Sequence, residues 1–63
     1  MAIKFVLDGY ELDSTKADAK AKVISQLGSY VSVSGDTITV TYDSDSAKVT
    51  QILDSVGVQY SGG

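Results

Sequence analysis

Apolar and polar positions alternate from the start of the chain. Ile3, Phe5 and Leu7 stand between Lys4 and Val6, the period of a strand with one strongly apolar face, and Asp8-Gly9 then interrupts it. This predicts a strand over residues 2–7. From about Ser14 to Leu27 the spacing changes to that of a helix, with Ala17, Ala21, Val23, Ile24 and Leu27 on its apolar side. Asp13, Ser14 and Thr15 are candidate N-caps, and Gly28 is a candidate C-cap in the left-handed conformation. Lys20 falls inside the apolar stripe, where its stem can cover apolar surface while its ammonium stays in water.

The clearest local signal comes next. Tyr30 to Ser34 and Thr37 to Tyr42 flank Gly35-Asp36. With those two residues as the turn, Ser34 faces Thr37, Val33 faces Ile38, Ser32 faces Thr39 and Val31 faces Val40. All apolar pairs then share one face and all hydroxyl pairs the other, and a slip of one residue would scramble both. Glycine at the first turn position predicts type II′ geometry. A second helix is predicted from about Ser46 to Val56, because Val49, Ile52, Leu53 and Val56 recur at i, i+3, i+4 and i+7. Asp43, Ser44, Asp45 and Ser46 are its candidate caps. Val58 to Tyr60 reads as a short last strand, and Ser61, Gly62 and Gly63 read as a frayed tail.

The order strand, helix, strand, strand, helix, short strand predicts a single α+β domain over residues 1–63. The economical packing is a ferredoxin-like βαββαβ sandwich, with two helices on one face of an antiparallel sheet. Its expected core is Ile3, Phe5, Leu7, Val23, Ile24, Leu27, Val31, Val33, Ile38, Val40, Val49, Ile52, Leu53 and Val56. An alternative pairs residues 2–7 with Tyr10 to Asp13 around Asp8-Gly9 and gives a β-grasp-like fold with a mixed sheet.

The run Phe5-Val6-Leu7-Asp8-Gly9-Tyr10, a helix, Thr37 to Asp43, and Ile52-Leu53 before Gly57 resembles the layout of heavy-metal-associated domains. The resemblance spans nearly the whole chain and implies the ferredoxin-like fold. It does not carry that family's metal chemistry, because Glu11 to Lys16 stand where its Cys-x-x-Cys pair belongs and the chain has no Cys.

Composition narrows the chemistry. With no Cys and no His, thiolate, disulfide and imidazole sites are excluded, and no cofactor is expected. Eight acidic residues against five lysines leave a net charge of −3, which argues against a nucleic-acid backbone binder. Asp43-Ser44-Asp45 begins like a calcium loop, but Ser46 to Asp54 do not supply the remaining ligands. Asp8, Glu11 and Asp13 read as a solvated acidic loop. Neither a phosphate-binding glycine loop nor a Gly-x-Ser-x-Gly nucleophile is present, so no catalytic residue is assigned and the chain is read as not an enzyme. No signal peptide or membrane span is expected, and the absence of Cys fits a cytoplasmic setting.

These exclusions leave a small protein-interaction or regulatory module, with a nucleic-acid-associated accessory protein and a carrier acting through Gly62-Gly63 as alternatives. The Gly-Gly end resembles ubiquitin-like and sulfur-carrier proteins. The expected interaction residues are Tyr30, Ser32, Ser34, Thr39 and Thr41 on the outer sheet face. The strand over residues 30–34 carries no charge and no Pro. In a ferredoxin-like sheet it lies at an edge, where it can pair with another protein or form a homodimer. Ser32→Lys or Ser32→Pro is the substitution expected to alter that edge while sparing the core.

Overall fold

The first strand, β1 (Ile3–Val6), lies inside the sheet in a computed structural model that describes residues 2–63. A helix α1 (Asp13–Leu27) follows, then β2 (Val31–Ser34), β3 (Thr37–Val40), α2 (Ser46–Val56) and β4 (Ser61–Gly62). Short 3₁₀ turns over Gly28–Tyr30 and Asp43–Asp45 lead into β2 and α2. The chain is therefore α+β, with two helices and a four-stranded antiparallel sheet in the order β2-β3-β1-β4. The alternative hairpin does not form. β1 takes β3 and β4 as neighbours, Asp13 begins α1, and Tyr10 is fully exposed.

The β2–β3 hairpin has the register expected from its side-chain pattern, with Val31 opposite Val40, Ser32 opposite Thr39, Val33 opposite Ile38 and Ser34 opposite Thr37. Gly35 has φ +58° and, among the described residues, no non-glycine residue has a positive φ, so the turn follows the II′ pattern rather than I′, which needs positive φ at both central residues. β1 continues this arrangement. Phe5 faces Ile38, and the Leu7 amide donates to Asp36 O at 2.9 Å, which draws Leu7 into the interior.

Phe5, Leu7, Val31, Ile38 and Val40 meet Ala19 and Val23 of α1 and Val49, Ile52 and Leu53 of α2 in one cluster, so both helices cover the same sheet face. Ile3, Leu27, Val33 and Val56 pack half-buried around it, as does Tyr60. Two buried residues, Ala19 and Val58, lie outside the expected core.

Four expectations require correction. First, Ile24 is 47% exposed, and Ala17 and Ala21 are exposed with it. The buried line of α1 instead passes through Ala19, Val23 and half-buried Leu27. Alanines mark a helix face only weakly, and the small Ala19 lets α1 approach its neighbours closely. Second, neither helix uses a side-chain N-cap. Leu12 precedes α1, with its carbonyl accepting from Thr15 and Lys16, while the 3₁₀ turn before α2 is closed by Ser46 Oγ donating to Asp43 O at 2.7 Å. Third, Gly28 ends α1 at ψ −125°, outside the left-handed helical region, and its amide donates to Ile24 O.

Fourth, the last strand is Ser61–Gly62 rather than Val58 to Tyr60, and it is not frayed. Phe5 pairs with Gly62, Val6 with Ser61, and Gly63 N donates to Lys4 O at 3.0 Å. Val58 is buried instead, and the Tyr60 ring meets Phe5 edge-on, with centroids 5.7 Å apart at 77°. Gly62 has φ +97°, and a Cβ there would run into the Lys4 carbonyl, so only glycine fits this approach.

Candidate interaction edge

The sheet face away from the helices is built from Ser32 and Ser34 of β2, Thr37 and Thr39 of β3, and Lys4 and Val6 of β1. Of the expected interaction residues, Ser32 and Ser34 are exposed there, and Thr39 lies half-buried between Ser32 and Lys4. Tyr30 and Thr41 lie at the far end of the hairpin. Tyr30 belongs to the 3₁₀ turn, its carbonyl accepts from the Thr41 amide at 3.0 Å, and its ring sits 5.7 Å from that of Tyr42. Both tyrosines are about half exposed. The candidate residues thus divide into Ser32, Ser34 and Thr39 on the hydroxyl face and the separate Tyr30–Thr41 pair, beside which Tyr42 packs on Tyr30.

β2 is an edge strand, and the hydrogen-bond phase of the hairpin determines what its rim offers. Antiparallel pairs alternate between hydrogen-bonded and non-bonded positions. The Thr41–Tyr30 bond sets that phase. Ser32 and Ser34 therefore turn their amides and carbonyls toward β3, while Val31 and Val33 turn theirs away from it, as Gly35 does its amide. Two groups along this rim are already used. The Val31 amide donates to Gly28 O, and Gly35 O accepts from Lys20 Nζ at 2.9 Å. What remains open is the carbonyl of Val31, both groups of Val33 and the amide of Gly35. Ser32 is consequently the wrong place for a proline: its amide serves the ladder with β3, so Ser32→Pro would break the hairpin rather than the edge.

Residues 28–35 carry no charge. The nearest ions, Lys20 and Asp36, neutralise each other at 3.3 Å. The acidic loop is a structural tie: Glu11 Oε1 accepts from the Gln59 amide at 3.2 Å, and Gly9 leaves no room for a side chain between Glu11 and Gln59. Among the described residues no group of three or more acidic side chains is arranged to hold a metal ion.

A cleft of about 330 Å³ opens between α2 and β4, lined by Phe5, Ser46, Ala47, Thr50, Tyr60, Gly62 and Gly63. Its hydroxyls are engaged within the chain: Ser46 donates to Asp43 O, Thr50 to Ala47 O, and Tyr60 to Asp54 at 3.4 Å. Partial desolvation, and then the charge and hydrogen bond of Asp54, raise the Tyr60 pKa above its ordinary value. The sequence pattern suggested neither this contact nor the cleft, because both depend on where β4 docks.

No helix among the described residues is long and apolar enough to cross a membrane. No protein family model, curated protein or solved structure matches the chain.

Proposed function

We propose that this chain is a small noncatalytic protein-interaction or regulatory module that engages a partner by adding a strand at β2. One observation carries the reading: β2 is a sheet edge on which the Val31 carbonyl, both Val33 groups and the Gly35 amide stay open, and residues 28–35 carry no charge and no proline. Edge strands are usually blunted by one of those devices. Strand addition draws affinity from main-chain bonds and specificity from alternate side chains, here Ser32 and Ser34 on the open face. The sheet order β2-β3-β1-β4, with both helices on one face, supports reading the fold as ferredoxin-like and fits the layout of heavy-metal-associated domains. Pairing of Gly62 and Gly63 with β1 favours a structural role for that segment over a carrier role.

The test is differential capture. A synthetic chain N-methylated at Val33 loses one outward donor and keeps every side chain. A partner that crosslinks to the parent and is lost from the methylated chain supports the reading. Equal capture by both chains removes it.

A further inference from the structure

We infer that the occupant of the β2 edge is a second copy of this chain, paired antiparallel about a two-fold axis at Val33. The inference rests on the edge reading above and adds the partner and the register. In this register Val33 faces Val33 of the other copy, and Val31 faces Gly35. The two Val33 residues exchange both of their bonds. Each Gly35 amide meets the Val31 carbonyl of the other copy. The groups that would complete the Val31–Gly35 pair are the Val31 amide and the Gly35 carbonyl, and these are the two already satisfied within the chain by Gly28 O and Lys20 Nζ. Every open group finds a partner, and no open group is left facing a used one. A two-fold contact needs this self-complementarity, because each half must supply what the other lacks.

Three further features fit a second copy. Directly opposed residues in an antiparallel pair point to the same face. Half-buried Val33 would therefore meet its equivalent on the helix side, while Ser32 meets Ser34 on the open side. Ile24 lies one helical turn beyond Lys20, which reaches the hairpin turn, so its exposed side chain overlooks the same flank and adds apolar surface there. Charge leads to the same place. Each copy carries −3, so two copies repel in general, but β2 is neutral and its neighbouring ions are paired.

The test combines sedimentation with crosslink mapping. The parent should move from monomer toward twice the monomer mass as concentration rises to the millimolar range. N-methylation at Val33 deletes two bonds per dimer and should weaken association about tenfold or more. Its fold is checked by circular dichroism, since the Val33 amide has no partner in the monomer. A Ser32→Cys, Ser34→Cys variant reports the register independently: mild oxidation should join residue 32 of one copy to residue 34 of the other. A parent that stays monomeric at millimolar concentration overturns self-pairing, as does a methylated chain that dimerises like the parent. Bridges joining 32 to 32 or 34 to 34 overturn the register. If the parent is monomeric but a foreign partner is captured and lost on methylation, self-pairing fails while the edge reading stands. If a captured partner ignores methylation, the edge reading fails with it.

Discussion

Lys20 Nζ donates to the carbonyl oxygen of Gly35 at 2.9 Å and so ties the middle of α1 to the turn of the β2–β3 hairpin. Its ammonium also lies 3.3 Å from Asp36 Oδ1. The lysine side chain is 22% exposed and the aspartate 50%, so the carbonyl bond should outweigh the ion pair. Lys20→Met keeps the stem and removes both contacts, at a cost of about 1 kcal/mol. Asp36→Asn should cost about 0.5 kcal/mol or less. Urea unfolding of the two variants and their combination checks the ranking, and equal losses would contradict it.

Gly35 has open space where a side chain would project, yet its φ is +58°. Any cost of substitution there is therefore backbone strain and not collision. Gly35→Val should lose about 1–3 kcal/mol. D-Alanine at the same position should be tolerated, since its mirrored stereochemistry favours positive φ. Thermal melts of the two chains separate the explanations. Equal melting temperatures would mean the turn has another conformation.

Gly62→Ala should destabilise the fold by about 1–3 kcal/mol through its positive φ, with the collision against Lys4 adding to the loss. Hydrogen exchange at Gly63 should speed up with it, because that amide loses its Lys4 acceptor. Unchanged exchange and stability would return residues 61–63 to the status of a loose tail.

Tyr60 should ionise above the ordinary tyrosine range. A raised pKa means that the folded state favours the protonated phenol. The associated stability is fully present below the unfolded pKa and is lost as pH rises through the folded one. Asp54→Asn removes the neighbouring charge and shifts the Tyr60 titration downward, toward the ordinary value, while leaving the desolvation in place. Absorbance of phenolate against pH follows this, and a Tyr60→Phe control assigns the step.

Local pattern predicted the hairpin well because its information is local. Valines and serines alternate against isoleucine and threonines across a two-residue turn, and only one register sorts them. α2 was equally legible, since Val49, Ile52 and Leu53 leave no other face to bury. α1 was not, because Ala17, Ala19 and Ala21 differ little in what burial gains, so its rotation is set by the packing of the surrounding elements. β4 was placed too early, at Val58 to Tyr60, for a related reason. Ser61 and Gly62 have no strand preference, and they pair because Val58 and Tyr60 anchor the chain beside β1. The edge position of β2 followed from the expected sheet order. Its outward groups did not, because they depend on hydrogen-bond phase, which moved the informative site from the Ser32 side chain to the Val33 backbone.

The central place of β1 bears on the order of assembly. The hairpin closes over a few residues and can form within microseconds. β1 cannot join until Thr37–Val40 exists, and its other flank waits for Ser61–Gly62. During synthesis at about 5–20 residues per second, that leaves Phe5 and Leu7 without their strand neighbours for a time on the order of seconds. β1 is therefore made before either of its neighbours and enclosed only with the last of them, and an apolar strand waits in the open for its partners to be made.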